Sequence, residues 1–207
     1  HPGWTEQHPE DWWEGTKEAI VSLLNKAGLS GDEVKGVGLS GQMHGSVFLE
    51  RELNVIRPAL LWSDQRTEAE TDWIEKTVGK KQLGEWTGNR ALTGFTAPKI
   101  IWLREHEPDT YARVAHVVLP KDYVRLQLTG DLAIDVADAS GTLLLDVSKR
   151  RWSEPLLQKL DIDKDWLPPV FESNDIVGQI TQAAAEKTGL AAGTPVVAGG
   201  GDQACGA

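Results

Sequence analysis

Helix-patterned and strand-patterned segments alternate along all 207 residues of this chain, and that interleaving restricts it to an α/β or α+β architecture. The stretch 11–27, "DWWEGTKEAIVSLLNKA", spaces Ala19, Ile20, Leu23, Leu24 and Ala27 at helical intervals, with Gly28 as its stop. Strand patterns follow over 34–40 and 46–50, then the short apolar run "ALLW" at 59–62. Helices are expected from about Asp64 to Val78, around 97–106, and briefly at "PDTYARV". "AHVVL" reads as a buried strand, and "PKDYVRLQLTG" as a helix with proline at its start and glycine at its end. The segment 131–147 mixes turns with short elements, and "SEPLLQKL" is a helix with Ser153 as its cap. Residues 175–180 suit an edge strand, "TQAAAEKTGL" a helix, and "TPVVAGGG" a buried strand running into a glycine turn.

Gly36, Gly38 and Gly41 spell G-x-G-x-x-G, the dinucleotide-binding fingerprint. That motif works only where a strand leads through the glycines into a helix whose N-terminus receives the pyrophosphate. Here a helix precedes the glycines and a further strand pattern, "SVFLE", follows them. The glycines therefore read as strand positions that let another backbone or a ligand come close.

A net charge of −10 argues against nucleic-acid and anionic-membrane partners, because both require a cationic face. The one compact basic run, "KRR" at 149–151, reads as a solvated loop. A single cysteine, Cys205, excludes an internal disulfide and suits a reducing, cytoplasmic compartment. No apolar run reaches the ~20 residues needed to span a bilayer. Asp161, Asp163 and Asp165 alternate as at the opening of an EF-hand loop, but Trp166 stands where that loop needs glycine. The five histidines have no metal-ligand spacing with a cysteine, so no metal site is expected. Neither a G-x-S-x-G elbow nor a P-loop occurs.

Asp202 stands out. It follows the apolar strand "PVVA" and Gly199, Gly200 and Gly201, at the carboxyl end of a strand, where open α/β sheets bind ligands. A carboxylate there could reach a substrate hydroxyl. It could equally be a helix N-cap, and residue patterns alone leave both readings open.

The chain resembles the FGGY carbohydrate kinases, sugar kinases of the actin-like ATPase superfamily, through "GFTAPKIIWLREH" at 94–106. "GQMHG", "LLWSDQRTEAE", "LPKDYVRLQLTG", "DASGTLLLDVSKRRWS" and "VVAGGGDQACGA" look like the xylulokinase branch of that family, in the right order. The resemblance implies a ribonuclease H-like, actin-type α/β fold. Residues 1–207 would form most of the N-terminal, sugar-binding domain, without its first strands and without the C-terminal ATP-binding domain. The ends agree with a segment of a longer protein, since the chain opens at His1 and closes just after a glycine turn.

By the same resemblance Met43 and His44 lie at the pentulose pocket, where glycerol kinases carry an Arg-Glu pair. Asp202 matches the family's catalytic aspartate, the general base. Gln203 is placed to hydrogen-bond a sugar hydroxyl, although many xylulokinases have asparagine there. Trp62 corresponds to an aromatic lining the sugar site; as a core tryptophan at a strand end it would have a purely structural role. Asp64, Arg66 and Lys99 belong to the motifs without an assigned contact, and Cys205 reads as a small packing residue. The implied reaction transfers the γ-phosphoryl group of ATP, with Mg²⁺, to O5 of D-xylulose. ATP and Mg²⁺ would be bound mainly by parts missing from this chain, which alone would be inactive. The alternatives are another sugar of the family (ribulose, a tetrulose or gluconate) or a non-catalytic sugar-binding module. The expected partner is a small-molecule sugar, and a homodimer is possible by likeness to relatives.

Overall fold

A computed structural model describes residues 1–207. Its strands are short and its helices carry most of the regular structure, a mixed α/β arrangement. Pro195–Val197 pairs antiparallel with Ile176–Gln179 on one side. On the other side it runs parallel to the 37–41 segment, through a Val37–Val196 bridge and the pairing of Gly200–Gly201 with Ser40–Gly41. A second ribbon sets Val47–Leu49 antiparallel to His116–Val118, and a Ser46–Leu60 bridge joins it to Ala59–Leu60. Glu6–Gln7 pairs with Ala59–Leu60 at the far edge.

Strand period explains why the apolar core has two parts. Successive side chains of Val47–Leu49 point to opposite faces. Phe48 enters a cluster with Leu60, Ile74, Ile100, Leu103 and Leu144, while Val47 and Leu49 join one with Trp13, Val118, Leu128 and Val196. All three are fully buried, each worth about 1.5–3 kcal/mol relative to exposure. The helix Thr96–His106 is buried over its first eight residues, so it shows no amphipathic stripe.

Most expected helices form close to their expected limits: Pro9–Ala27, Thr96–His106, Pro120–Thr129, Glu154–Leu160 and Gln182–Thr188. Three details differ. The helix expected from Asp64 starts at Glu68, because the Asp64 carboxylate organises a turn by accepting from the amides of Thr5 and Arg66 and from the Arg66 guanidinium. A further helix, Lys80–Thr87, follows Gly79, whose φ of +90° ends the preceding helix and begins this one. Its only fully buried apolar side chain is Leu83, too little for a periodic signal. Ser153 occupies the N-cap position, yet its side chain makes no capping bond and its hydroxyl is buried without a partner.

The three glycines open no helix: beyond Gly41 the chain bends and enters Val47–Leu49. Close approach is tight only at Gly41, where an added Cβ would lie 3.0 Å from Lys121 Cβ. That contact seats the N-terminus of the helix Pro120–Thr129 against the strand. The "DIDKDW" segment is a helix end and a 3₁₀ turn, with Asp161 left-handed and Asp163 capping the amide of Asp165.

Candidate active site

Ser40–Gly41 and Gly200–Gly201 are adjacent parallel strands, and the chain leaves both at the same end. Met43 and His44 follow the first; Asp202 and Gln203 follow the second. Loops from the carboxyl ends of neighbouring parallel strands are where open α/β sheets gather ligand-binding groups.

His44 sits in a tight turn, with the Gly45 amide donating to the Met43 carbonyl at 2.8 Å and His44 itself at φ +68°. A left-handed non-glycine residue persists only where its surroundings hold it. Two donors from the helix Thr96–His106 do so, Thr96 Oγ1 at 3.1 Å and Lys99 Nζ at 3.0 Å from the His44 carbonyl oxygen. Lys99 also donates to the Gly94 carbonyl, and burial pulls its ammonium down to about 7. The His44 ring packs 4.7 Å from Phe95, and its Nδ1 lies 2.7 Å from the Gly141 carbonyl oxygen. A carbonyl only accepts, so Nδ1 carries the proton and Nε2 of the neutral ring is an acceptor. Burial pushes the imidazole below its ordinary range, which keeps that neutral form at pH 7.

The glycine turn before Asp202 is sterically required. Gly199 has φ +80°, and a Cβ there would fall 2.3 Å from the Leu39 carbonyl oxygen. A Cβ on Gly201 would lie 2.6 Å from Met43 Cγ and 2.9 Å from Asp138 Oδ1. The N-cap reading of Asp202 is corrected, because Gly201 holds that position and Asp202 is the first helical residue. Its carboxylate is exposed and accepts the Gln203 amide at 2.9 Å.

Met43, His44, Trp62, Asp202 and Gln203 together line one cleft of about 250 Å³. Trp62 is 57% exposed, which overturns its reading as a core residue. Cys205 is exposed, and its Sγ sits close over Gly200, 2.9 Å from where a Cβ would stand there. Asp64 and Arg66 lie elsewhere: the Arg66 guanidinium stacks over Trp4 at 3.8 Å from its ring centre, lies 4.8 Å from that of Trp102, and is bonded to Asp64 and Glu6. That stack ties the first residues of the chain to the Thr96–His106 helix.

Sequence reasoning missed a buried cluster beneath the cleft. Carboxylate oxygens of Asp122, Asp135 and Asp138 lie within 4.8 Å of one another, as a metal site would require. The Lys121 ammonium already occupies their midst, at 2.6, 2.9 and 3.4 Å. The adjacent "KD" and the arginine four residues from Lys121 were visible in sequence, but nothing there marked them as buried.

A profile for the FGGY family of carbohydrate kinases, N-terminal domain, matches residues 1–207. The chain belongs to the FGGY family of carbohydrate kinases. The ribonuclease H-like, actin-type fold is the general kind of this FGGY family, and the α/β architecture agrees with it. The chain is 44% identical to a xylulose kinase of Escherichia coli (strain K12) over 207 residues, all of this chain and 42% of that protein. Against a xylulose kinase of Bacillus subtilis (strain 168) it is 42% identical over 205 residues, 99% of this chain and 41% of that one. The solved xylulose kinase of Rhodospirillum rubrum superimposes with a TM-score of 0.92 at 28% identity, covering 98% of this chain and 42% of that structure. This FGGY chain thus spans about two fifths of its relatives' length.

Proposed function

We propose that this chain is the sugar-binding part of an FGGY kinase that transfers the γ-phosphoryl group of ATP to O5 of D-xylulose. The observation that carries the reading is the convergence of an exposed carboxylate, Asp202, with an acceptor nitrogen on His44 and the Trp62 ring in one cleft. In this reading His44 Nε2 accepts a sugar hydroxyl, the Gln203 amide bonds another, and Trp62 covers an apolar face of the sugar. Asp202 accepts the O5 proton as O5 attacks phosphorus; the O5–P bond forms, the bond to the β-phosphate oxygen breaks, and ADP leaves.

ATP with its Mg²⁺ supplies the phosphoryl group and the charge that stabilises its transfer. Both are held mainly by parts of the kinase outside these residues. In support, the buried carboxylate cluster, spaced as a metal site would be, already encloses an ammonium. No helix is long and apolar enough to cross a membrane.

The test is sugar-dependent ADP formation by the full-length polypeptide carrying this chain, with D-xylulose, D-ribulose, L-ribulose, gluconate and glycerol. Turnover dominated by D-xylulose is expected. Preference for another sugar overturns the pocket assignment, and binding without turnover on any sugar overturns the kinase reading.

A further inference from the structure

Five charged side chains lie buried directly under the cleft: Lys121, Asp122 and Arg125 on the helix Pro120–Thr129, with Asp135 and Asp138 from the segment after it. Burying so many charges is costly unless each is well paired, and apolar residues of similar volume would often be as stable there. Lys121 Nζ contacts Asp122 at 2.6 Å and Asp135 at 2.9 Å, and Arg125 contacts Asp122 at 3.0 Å. Two cations face three carboxylates. Burial first, and then the Asp122 charge, push the Asp138 carboxyl up to about 8, so near neutral pH it keeps its proton and the charges balance.

Both cations also grip one backbone atom. Lys121 Nζ donates to the Ala198 carbonyl at 3.0 Å and an Arg125 guanidinium nitrogen donates to the same oxygen at 2.7 Å. Arg125 further bonds the Ala133 carbonyl. Ala198 is the last residue before the Gly199–Gly201 turn, which has no side chains of its own to set its path. On the other strand, Lys121 Cβ rests against Gly41, and Asp138 Oδ1 lies close to Gly201, 2.9 Å from where a Cβ would stand there. The cluster thus touches the roots of both loops that form the cleft.

We propose that Lys121 and Arg125 are positioning residues for Asp202: by holding the Ala198 carbonyl from the interior they fix where the strand ends and where the glycine turn delivers the carboxylate. This rests on the kinase reading of Asp202. Of the sugar contacts only Gln203 rides on this turn; His44 is held separately by Thr96, Lys99 and Gly141.

The experiment compares wild type with Lys121→Met and with Lys121→Met/Asp135→Asn in the full-length protein. The double variant removes one cation and one anion, and asparagine keeps the Oδ1 that accepts the Ala137 and Asp138 amides. Readouts are thermal midpoint, sugar affinity, kcat, and amide hydrogen exchange over 198–203. A merely structural ion cluster would give normal kcat once charge balance restores the midpoint. Positioning predicts a restored midpoint and sugar affinity lowered by no more than the single Gln203 contact, but kcat lower by about 10- to 100-fold, the scale on which ~1 Å of misplacement acts. Exchange over 198–203 should quicken while the Thr96–His106 helix stays protected. Wild-type kcat and exchange in the double variant would overturn the proposal. Should both variants unfold, Arg125→Lys, which keeps the charge and shortens the reach to Ala198, is judged by the same readouts. An inactive wild type would sink the kinase reading, and the exchange data would still decide whether the cations hold the turn.

Discussion

His44 Nδ1 donates to the Gly141 carbonyl across 2.7 Å, and this bond joins residues 97 positions apart to define which ring nitrogen faces a ligand. His44→Asn isolates the ring, since asparagine tolerates the left-handed backbone of position 44. We expect sugar affinity to fall by about 10- to 100-fold, the cost of one lost hydrogen bond with an unpaired polar partner. Calorimetric titration of sugar measures it. Affinity in wild type should be level at and above pH 7. It should weaken only below the ordinary imidazole range, because burial lowers the pH at which Nε2 gains a proton.

Asp202→Asn should separate binding from chemistry. The amide preserves size and can still accept the Gln203 amide, but it takes no proton. The expected result is a kcat lower by about 10²–10⁴-fold with sugar affinity retained. Equal loss of both would mean that Asp202 contributes to binding in the ground state.

Gly199→Ala should destabilise the protein by about 1–3 kcal/mol, because a side chain is strained at positive φ and the new Cβ meets a backbone oxygen. Gly36→Ala serves as the control, since its nearest neighbour to an added Cβ is the Pro195 oxygen at 3.7 Å. Chemical denaturation of both variants gives the comparison.

Asp138 should make stability depend on pH. Its folded value of about 8 lies above the ordinary 3.8, so the folded form holds a proton that the unfolded form releases between those values. The stability it contributes is full below about pH 4 and is lost as pH rises to about 8. Asp138→Asn stays neutral throughout. Wild type should therefore lose thermal midpoint relative to this variant between pH 5 and pH 8.5, and a constant difference would refute the assignment.

Much of this was written in local pattern. The helix Pro120–Thr129 carries proline at one end and glycine at the other, and the apolar run before Gly199 announces a strand ending in a turn; both are short-range features that any window of sequence contains. Of the five cleft residues only Asp202 was marked by residue pattern, after an apolar strand and a glycine turn; Met43, His44, Trp62 and Gln203 were legible only through resemblance to a family, because no pattern links them to it. Weak signals misled at particular places. Asp64 extended a helical pattern on paper, whereas in the fold its carboxylate is spent on Thr5 and Arg66.

The amino-acid sequence by itself determined most of the order of helices and strands, the helix Lys80–Thr87 excepted, and the glycine turn before Asp202, since periodicity, capping and backbone freedom act over a few residues. Tertiary structure alone decided that Nε2 is the His44 acceptor, that Trp62 is exposed, and that Lys121 and Arg125 meet at the Ala198 carbonyl, over 70 residues away. Those outcomes depend on which distant groups share a desolvated space. Burial turns a charge from a solvated surface feature into one that must find partners, and only the packed chain says which partners are within reach.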